Sequence, residues 1–485
     1  MVYGLSSIVG RFLNYLLVPV YTYHMSAASG GYGVVTNVYA YTALLLVILT
    51  FGMETTFFYY SNREGVDRRR VFSTALTAVG SVAALFVVLV MSFIGPISAA
   101  MGYADHPEYL QVMAIVVALD AFQAILFARL RQEGHAWKFF ALKMAFILLT
   151  VALTLFVFLA APRWSHLSWM GWYDESHQVA YIFFINLFCT AIVTFGFWRE
   201  LRDYHISSFD PALLKQMLRY AWPLLLFGIV GIFNQVADKI LLPWLLPGDE
   251  GRVQLGIYGA CVKIAMLMAL ITQAFRYAYE PFVFGGQRDK HSKETQALAT
   301  KYFIMFTLLA FLAVMAYIDL FKYFVGPDYR SALQAVPIVM MAEILMGIYF
   351  NLSFWYKLTG QTWWGAVMST IGCIVLVAVN IAFVPRIGYM ACAWGGLAGY
   401  GVCVLLSYFI GQRKNPVPYP VAEIAFYFLL ALALFALMHY LPIANTSLRL
   451  VVNTLLLAVY VGVVLWRERT LVAPVVNRLK SFIHK

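Results

Sequence analysis

Ten ionisable residues sit inside long apolar stretches of this chain, where charge must be compensated. Five are basic, Arg11, Lys143, Lys239, Lys263 and Arg276, and five are acidic, Glu54, Asp120, Asp238, Glu280 and Glu343. A charge at the centre of a membrane-spanning helix costs roughly 2.5–3.5 kcal/mol on insertion scales, so ten cannot all face lipid. They must face one another or a water-filled cavity, and intramembrane groups so placed hold polar cargo or relay ions and protons. For any single residue the alternative is an ion pair that only locks two helices together. For the set, a wet interior is the better reading.

Spacing sorts these residues. Arg11 and Asp120 lie deepest in their stretches, and Arg11 continues a polar stripe, Tyr3, Ser7, Arg11 and Asn14, at helical spacing. Asn234 and Asp238 form one i, i+4 pair, Gln235 and Lys239 the next, and Arg276 and Glu280 a third. Glu54 and Arg276 lie toward the cytoplasmic side. Lys143 stands four residues into its stretch and is placed to snorkel to the headgroups. Lys263 and Arg276, thirteen residues apart, point roughly 140° away from each other on a straight helix, so at most one is central unless the helix bends. Five positive against five negative groups leave the sign of the cavity open.

The elements that must position these groups are fourteen apolar runs at about 2–22, 34–58, 71–94, 109–128, 139–160, 179–197, 220–246, 255–275, 302–321, 335–356, 365–384, 390–410, 421–441 and 448–466. Hydrophobic residues make up 62% of the chain and charged residues 12%, against about 25% charged in soluble domains. About 20 apolar residues span a bilayer as a helix, and the runs lack the strict alternation of barrel strands. The expected fold is therefore an all-α membrane protein. The first run lacks a basic leader and a small-x-small cleavage site and carries Arg11 at its centre, so it reads as a span rather than a signal peptide. With the N-terminus cytoplasmic, the inner connectors hold 24 Lys and Arg and the outer ones 6, which predicts both termini inside. The net charge of +11 is then topological and gives no ground for nucleic-acid binding.

Other chemistry is weakly represented. The five cysteines, Cys189, Cys261, Cys373, Cys392 and Cys403, all fall in spans without CxxC spacing and read as packing residues. No Walker A, HExxH or nucleophile-elbow sequence is present. His166 and His177 flank Asp174 and Glu175 in an outer connector, where a solvated loop is preferred to a metal site. Connectors of about twenty residues or fewer argue against an enzyme that needs a sizeable extramembrane domain. No cofactor and no metal are expected.

Two segments echo each other at an offset of a little over 220 residues: Ile8-Val9-Gly10-Arg11-Phe12-Leu13-Asn14 with Ile229-Val230-Gly231-Ile232-Phe233-Asn234, and Tyr32-Gly33 with Tyr258-Gly259. An even number of spans per copy gives both copies one orientation, so the echo predicts parallel repeats. The expected organisation is an N-lobe of helices 1–6 over 1–200, a cytoplasmic amphipathic linker over 201–219, and a C-lobe of helices 7–12 over 220–410. Helices 13 and 14 follow over 411–466, then a cytoplasmic amphipathic tail over 467–485. Asp210-Pro211 is a helix-start signature, and Leu213, Leu214, Met217 and Leu218 oppose Lys215 and Arg219 as an interfacial helix would.

The segments Gly10 to Pro19, Asn234-Gln235-Val236-Ala237-Asp238-Lys239, Gln273 to Phe282 and Val325-Gly326-Pro327-Asp328-Tyr329 are where the chain resembles the Wzx-type oligosaccharide flippases of the multidrug/oligosaccharidyl-lipid/polysaccharide exporter superfamily. The resemblance runs over nearly the whole length. It implies two six-helix lobes around a cavity that opens alternately to each side. The cargo it implies is undecaprenyl-pyrophosphate-linked oligosaccharide, moved from the cytoplasmic to the periplasmic leaflet of the bacterial inner membrane for polysaccharide biosynthesis. Membrane lipids, a polysaccharide polymerase and glycosyltransferases are the implied partners. On this footing Arg11, Asn14, Asn234, Lys239, Lys263 and Arg276 are the candidate substrate-binding residues. Glu54, Asp120, Asp238, Glu280 and Glu343 are the candidates for ion coupling. Twelve spans are the common core, and fourteen is nearer to the related lipid II flippase. A cation-coupled drug antiporter of the same superfamily is a further alternative, opposed by the intramembrane Arg and Lys. A transport-inactive scaffold for polysaccharide assembly is another.

Overall fold

The structure, a computed structural model, describes residues 15–164, 166, 171–285 and 292–469. No strand occurs among them, and thirteen helices are long and apolar enough to cross a membrane. They match the second to fourteenth expected spans one for one. The described end of the first is α1, Leu17–His24. In order the others are α2 (Gly31–Ser61), α3 (Arg68–Ser92), α4 (Pro107–Gln132), α5 (Ala136–Trp164), α6 (Glu175–Phe195) and α7 (Pro211–Leu245). There follow α8 (Glu250–Gly285), α9 (Lys293–Ala316), α10 (Pro327–Leu358), α11 (Trp363–Ile387), α12 (Tyr389–Lys414), α13 (Val421–Tyr440) and α14 (Thr446–Arg467). This is a multi-pass membrane protein.

Local sequence explains the helix ends. The Asp67 carboxylate caps α3 by accepting from Arg69 N, and Asn445 caps α14 by accepting from Ser447 N and Leu448 N. Asp210 accepts from Ala212 N and Leu213 N with Pro211 at the first helical position, so the expected start is observed. The amphipathic turns after it do not stop: they run into the next span as one 35-residue helix. In α2 the ladder breaks at Phe51 and Gly52, both left-handed, with φ of 36° and 70°. That break turns Glu54 onto a short terminal helix, Met53–Ser61.

The chain packs as two compact units. The first takes in residues up to Lys263 with Val325–Ala332 and Ala366–Gly399; the second takes in Ile264–Phe324, Leu333–Gly365 and the chain from Tyr400. Within the first, two apolar clusters hold the helices, one around Met53, Leu76, Ile125 and Phe197, the other around Val38, Met113, Phe158 and Phe183. Polar side chains bridge helices where lipid offers no alternative. Gln123 donates to Thr190 O at 2.9 Å and to Thr194 Oγ1 at 2.8 Å, tying α4 to α6. The crossing of α2 with α8 needs glycine: a Cβ on Gly33 would fall on the Arg252 carbonyl, and one on Gly256 would lie 3.0 Å from Gly33 N. Gly259 faces Thr36 in the same contact. The echoed pairs Tyr32-Gly33 and Tyr258-Gly259 therefore lie on helices that pack together.

In the second unit, α14 is bonded along α9. Asn453 Nδ2 donates to Ala316 O at 3.1 Å, Tyr460 OH to Met305 O at 3.1 Å, and Tyr317 and Thr454 hydroxyls meet at 3.0 Å. Arg449 reaches Asp319 at 2.5 Å at one end. Large apolar side chains left exposed, such as Leu85 and Val88 on α3, Phe93 just after it and Leu429 on α13, suit a lipid solvent rather than water.

Candidate functional site

The first unit gathers a polar cluster around Asp238 on α7. Lys239 Nζ lies 2.9 Å and 3.0 Å from the two Asp238 carboxylate oxygens and donates to Gln235 O at 3.0 Å. Tyr258 OH on α8 donates to Asp238 Oδ2 at 3.2 Å. Asn37 Nδ2 on α2 donates to Lys239 O at 2.8 Å, and its Oδ1 accepts from Tyr103 OH at 2.7 Å. Burial holds the Tyr103 phenol well above its usual range, with the nearby Arg252 pulling the other way, so it stays a donor. Lys263 on α8 has Lys239 as its ionised neighbour, and among the described residues no carboxylate pairs with it directly. Asp238, Lys239 and Lys263 thus set two basic side chains against one carboxylate on apolar helices. Asn234 faces elsewhere, donating to Ser369 O on α11 at 3.0 Å. The expected pairing of Asn234 with Asp238 does not form, while Lys239 meets Gln235 at its backbone carbonyl and folds onto Asp238 as well.

A second group lies at the α2, α4 and α5 contact. Glu54 pairs with Arg131, whose guanidinium also lies 5.1 Å from the Phe58 ring centroid. Lys143 Nζ stands 4.0 Å over the Phe127 ring and interacts electrostatically with Asp120 and Glu54. Two of the five coupling candidates, Glu54 and Asp120, are so brought near two cations. Arg131 escaped sequence reading because it lies at the end of α4, among connector charges.

The second unit holds a small recess between α8, α9 and α10. Thr272, Phe275, Arg276 and Tyr279 of α8, Phe303 of α9, and Gly347, Phe350, Asn351, Phe354 and Lys357 of α10 line it. Arg276 Cζ lies 4.8 Å from the Phe350 ring centroid, and Lys357 Nζ 5.0 Å from that of Phe354. The quadrupole of each ring attracts the cation above it. Thr272, Asn351 and Lys357 carried no sequence signal, since isolated polar residues at helical positions look alike until packing is known. Glu343 stands half-buried on α10, one turn before Gly347.

Arg11 and Asn14 lie outside the described residues, as does the side chain of Glu280. In the outer connector, Asp174 Oδ1 accepts from Ser176 N at 2.9 Å, and His177 Nδ1 lies 3.3 Å from Asp174 Oδ2. That backbone hydrogen bond holds the exposed Asp174 carboxyl below its usual range.

A family model described as polysaccharide biosynthesis protein matches residues 29–333. Among solved structures, a lipid II flippase MurJ in an inward closed conformation superposes with a TM-score of 0.73 at 14% identity, over 96% of this chain and 99% of that one. An inward-facing multidrug resistance MATE family transporter of the MOP superfamily superposes with a TM-score of 0.63 at 15% identity, over 85% and 95%. A MOP superfamily transporter from Pyrococcus furiosus, described as having a binding pocket of reversed polarity, gives 0.55 at 14%, over 85% and 95%. The fold is that of MOP-superfamily transporters. No curated protein matches the chain.

Proposed function

From the fact that this chain belongs to the polysaccharide biosynthesis protein family, we propose that it is a flippase for undecaprenyl-pyrophosphate-linked oligosaccharide. It moves the head group from the cytoplasmic to the periplasmic leaflet of a bacterial inner membrane, with both termini cytoplasmic. Residues 1–200 and 220–410 act as two lobes that alternate access to a shared cavity. The observation that carries the reading is the excess of basic side chains, Lys239 and Lys263 against Asp238, on apolar helices. A pyrophosphate needs such charge, because a glycan bearing two phosphates cannot enter hydrocarbon unaided. Arg11 is the leading contact for the pyrophosphate, since a guanidinium offers a bidentate fork. The prenyl tail stays in lipid while the lobes part.

An inside-negative potential favours outward movement of negative charge by about 2.3 kcal/mol per charge per 100 mV, so two charges gain about 4–5 kcal/mol on that scale. Asp120, Glu54 and Glu343 are the candidates for added proton coupling.

Lipid II is the second reading, supported by the fourteen spans expected from the sequence and by the near-complete superposition on a lipid II flippase. Proteoliposomes supplied with one lipid or the other separate the two. Translocation of the oligosaccharide lipid and not of lipid II supports the first reading; the reverse supports the second.

A further inference from the structure

We propose that the α8–α10 recess is a phosphoryl-oxygen subsite, in which Thr272 Oγ1 and Asn351 Nδ2 donate to one oxygen while Arg276 and Lys357 supply positive charge at its mouth. The proposal rests on the flippase reading for its biological cargo, though not for its chemistry.

Two buried polar atoms point to a ligand. Thr272 is 4% exposed and Asn351 3%, and Thr272 Oγ1 and Asn351 Nδ2 make no hydrogen bond among the described residues. Buried polar groups are otherwise almost always satisfied. Both line the same recess, and both can donate. The cavity has room for about one water-sized group, which is the size of a single phosphoryl oxygen and far less than a whole pyrophosphate. The remainder of the anion must therefore sit at the mouth, where Arg276 and Lys357 are held over Phe350 and Phe354.

Gly347 keeps the space open. A Cβ there would overlap the Phe303 ring and approach Thr272 Oγ1 to 3.1 Å. A side chain as small as alanine's would thus crowd the donor that faces the ligand. Five aromatic rings line the recess, those of Phe275, Tyr279, Phe303, Phe350 and Phe354, and lower the local dielectric, which strengthens each polar contact made within it.

The phosphoryl group could come from the lipid carrier or from free anion, and binding assays separate the two. The full chain in nanodiscs is titrated with undecaprenyl pyrophosphate and, separately, with inorganic pyrophosphate. Thr272→Val keeps the shape and removes the donor; Gly347→Ala fills the recess; Asn351→Leu removes the second donor. A hydrogen bond to a charged group is worth enough that each loss should weaken binding about tenfold or more. Tighter binding of the lipid than of inorganic pyrophosphate, lost in the variants, supports the subsite with the carrier as its source. Equal affinities for the two probes, both lost in the variants, support the subsite with free anion as its source. Wild-type affinity in Thr272→Val and Asn351→Leu, with thermal stability unchanged, overturns the proposal and leaves a buried water as the occupant. Because the probe carries no glycan and nothing is translocated, this result is independent of the flippase reading. A wild-type protein that translocates no lipid-linked oligosaccharide, yet loses undecaprenyl pyrophosphate in the variants, sinks the reading and keeps the subsite.

Discussion

The Lys301 ammonium lies 2.5 Å from Glu468 Oε1, joining α9 to the end of α14. Glu423 of α13 reaches the same ammonium at 2.5 Å, and Tyr427 OH donates to Glu468 at 2.9 Å. Lys301 and Glu468 side chains are 6% and 9% exposed. Three helices therefore share one buried cation, which explains how helices outside the expected repeat become part of a compact unit.

Removing that cation leaves two carboxylates facing each other. Breaking a buried pair costs about 3–5 kcal/mol, and the 40% exposure of Glu423 places the cost toward the lower end. Lys301→Met should lower the thermal midpoint in detergent by several degrees, and Glu423→Gln in the Met background should recover part of it. An unchanged midpoint in Lys301→Met would remove the cluster from the stability of the fold.

The same cluster sets a pH response. Burial pushes the Glu468 carboxyl up, but hydrogen bonds from Lys301 and Tyr427 outweigh it and hold the group below its usual range. A depressed folded pKa contributes stability that is complete above the unfolded value of about 4.3 and is lost as pH falls through the folded value. Wild-type stability should fall more steeply below about pH 4.3 than that of Glu468→Gln. Parallel curves would show that the pair is not coupled to folding.

The α2–α8 crossing gives a packing test. Gly33→Val must push a branched side chain into the Arg252 backbone, and overpacking of this kind costs about 1–3 kcal/mol or more. The variant should express at reduced level and melt earlier than Gly231→Val, where nothing among the described residues lies within 4 Å of an added Cβ. Equal melting of the two would contradict the close approach.

Much of this was legible in the chain, and the misses have physical causes. Thirteen helices follow from apolar run length alone, and Asp210 announced its cap. The linker was misjudged in one respect: nothing between Arg219 and Pro223 stops a helix, so the interfacial turns and α7 merge. Lys239 was visible as an intramembrane charge, but not its partner. Spacing rules pair i with i+4, whereas four flexible methylenes let Lys239 curl back onto adjacent Asp238. Thr272 and Asn351 became notable only once packing denied them partners.

Orientation is tested by cysteine labelling in a cysteine-free background. Cysteines at Gly65, Lys290 and Lys480 should resist a membrane-impermeant reagent applied to whole cells, and one at Met170 should react. Reaction at any of the first three would invert or break the proposed topology.

The most direct measurement of the central claim is translocation of a fluorescent undecaprenyl-pyrophosphate oligosaccharide in proteoliposomes, read by quencher access to the head group. The account predicts transfer well above protein-free vesicles, acceleration when the potential drives negative charge outward, loss of transfer in Arg11→Ala, and partial recovery in Arg11→Lys. Transfer by the wild-type protein no faster than in empty vesicles, across both signs of the potential, would contradict it.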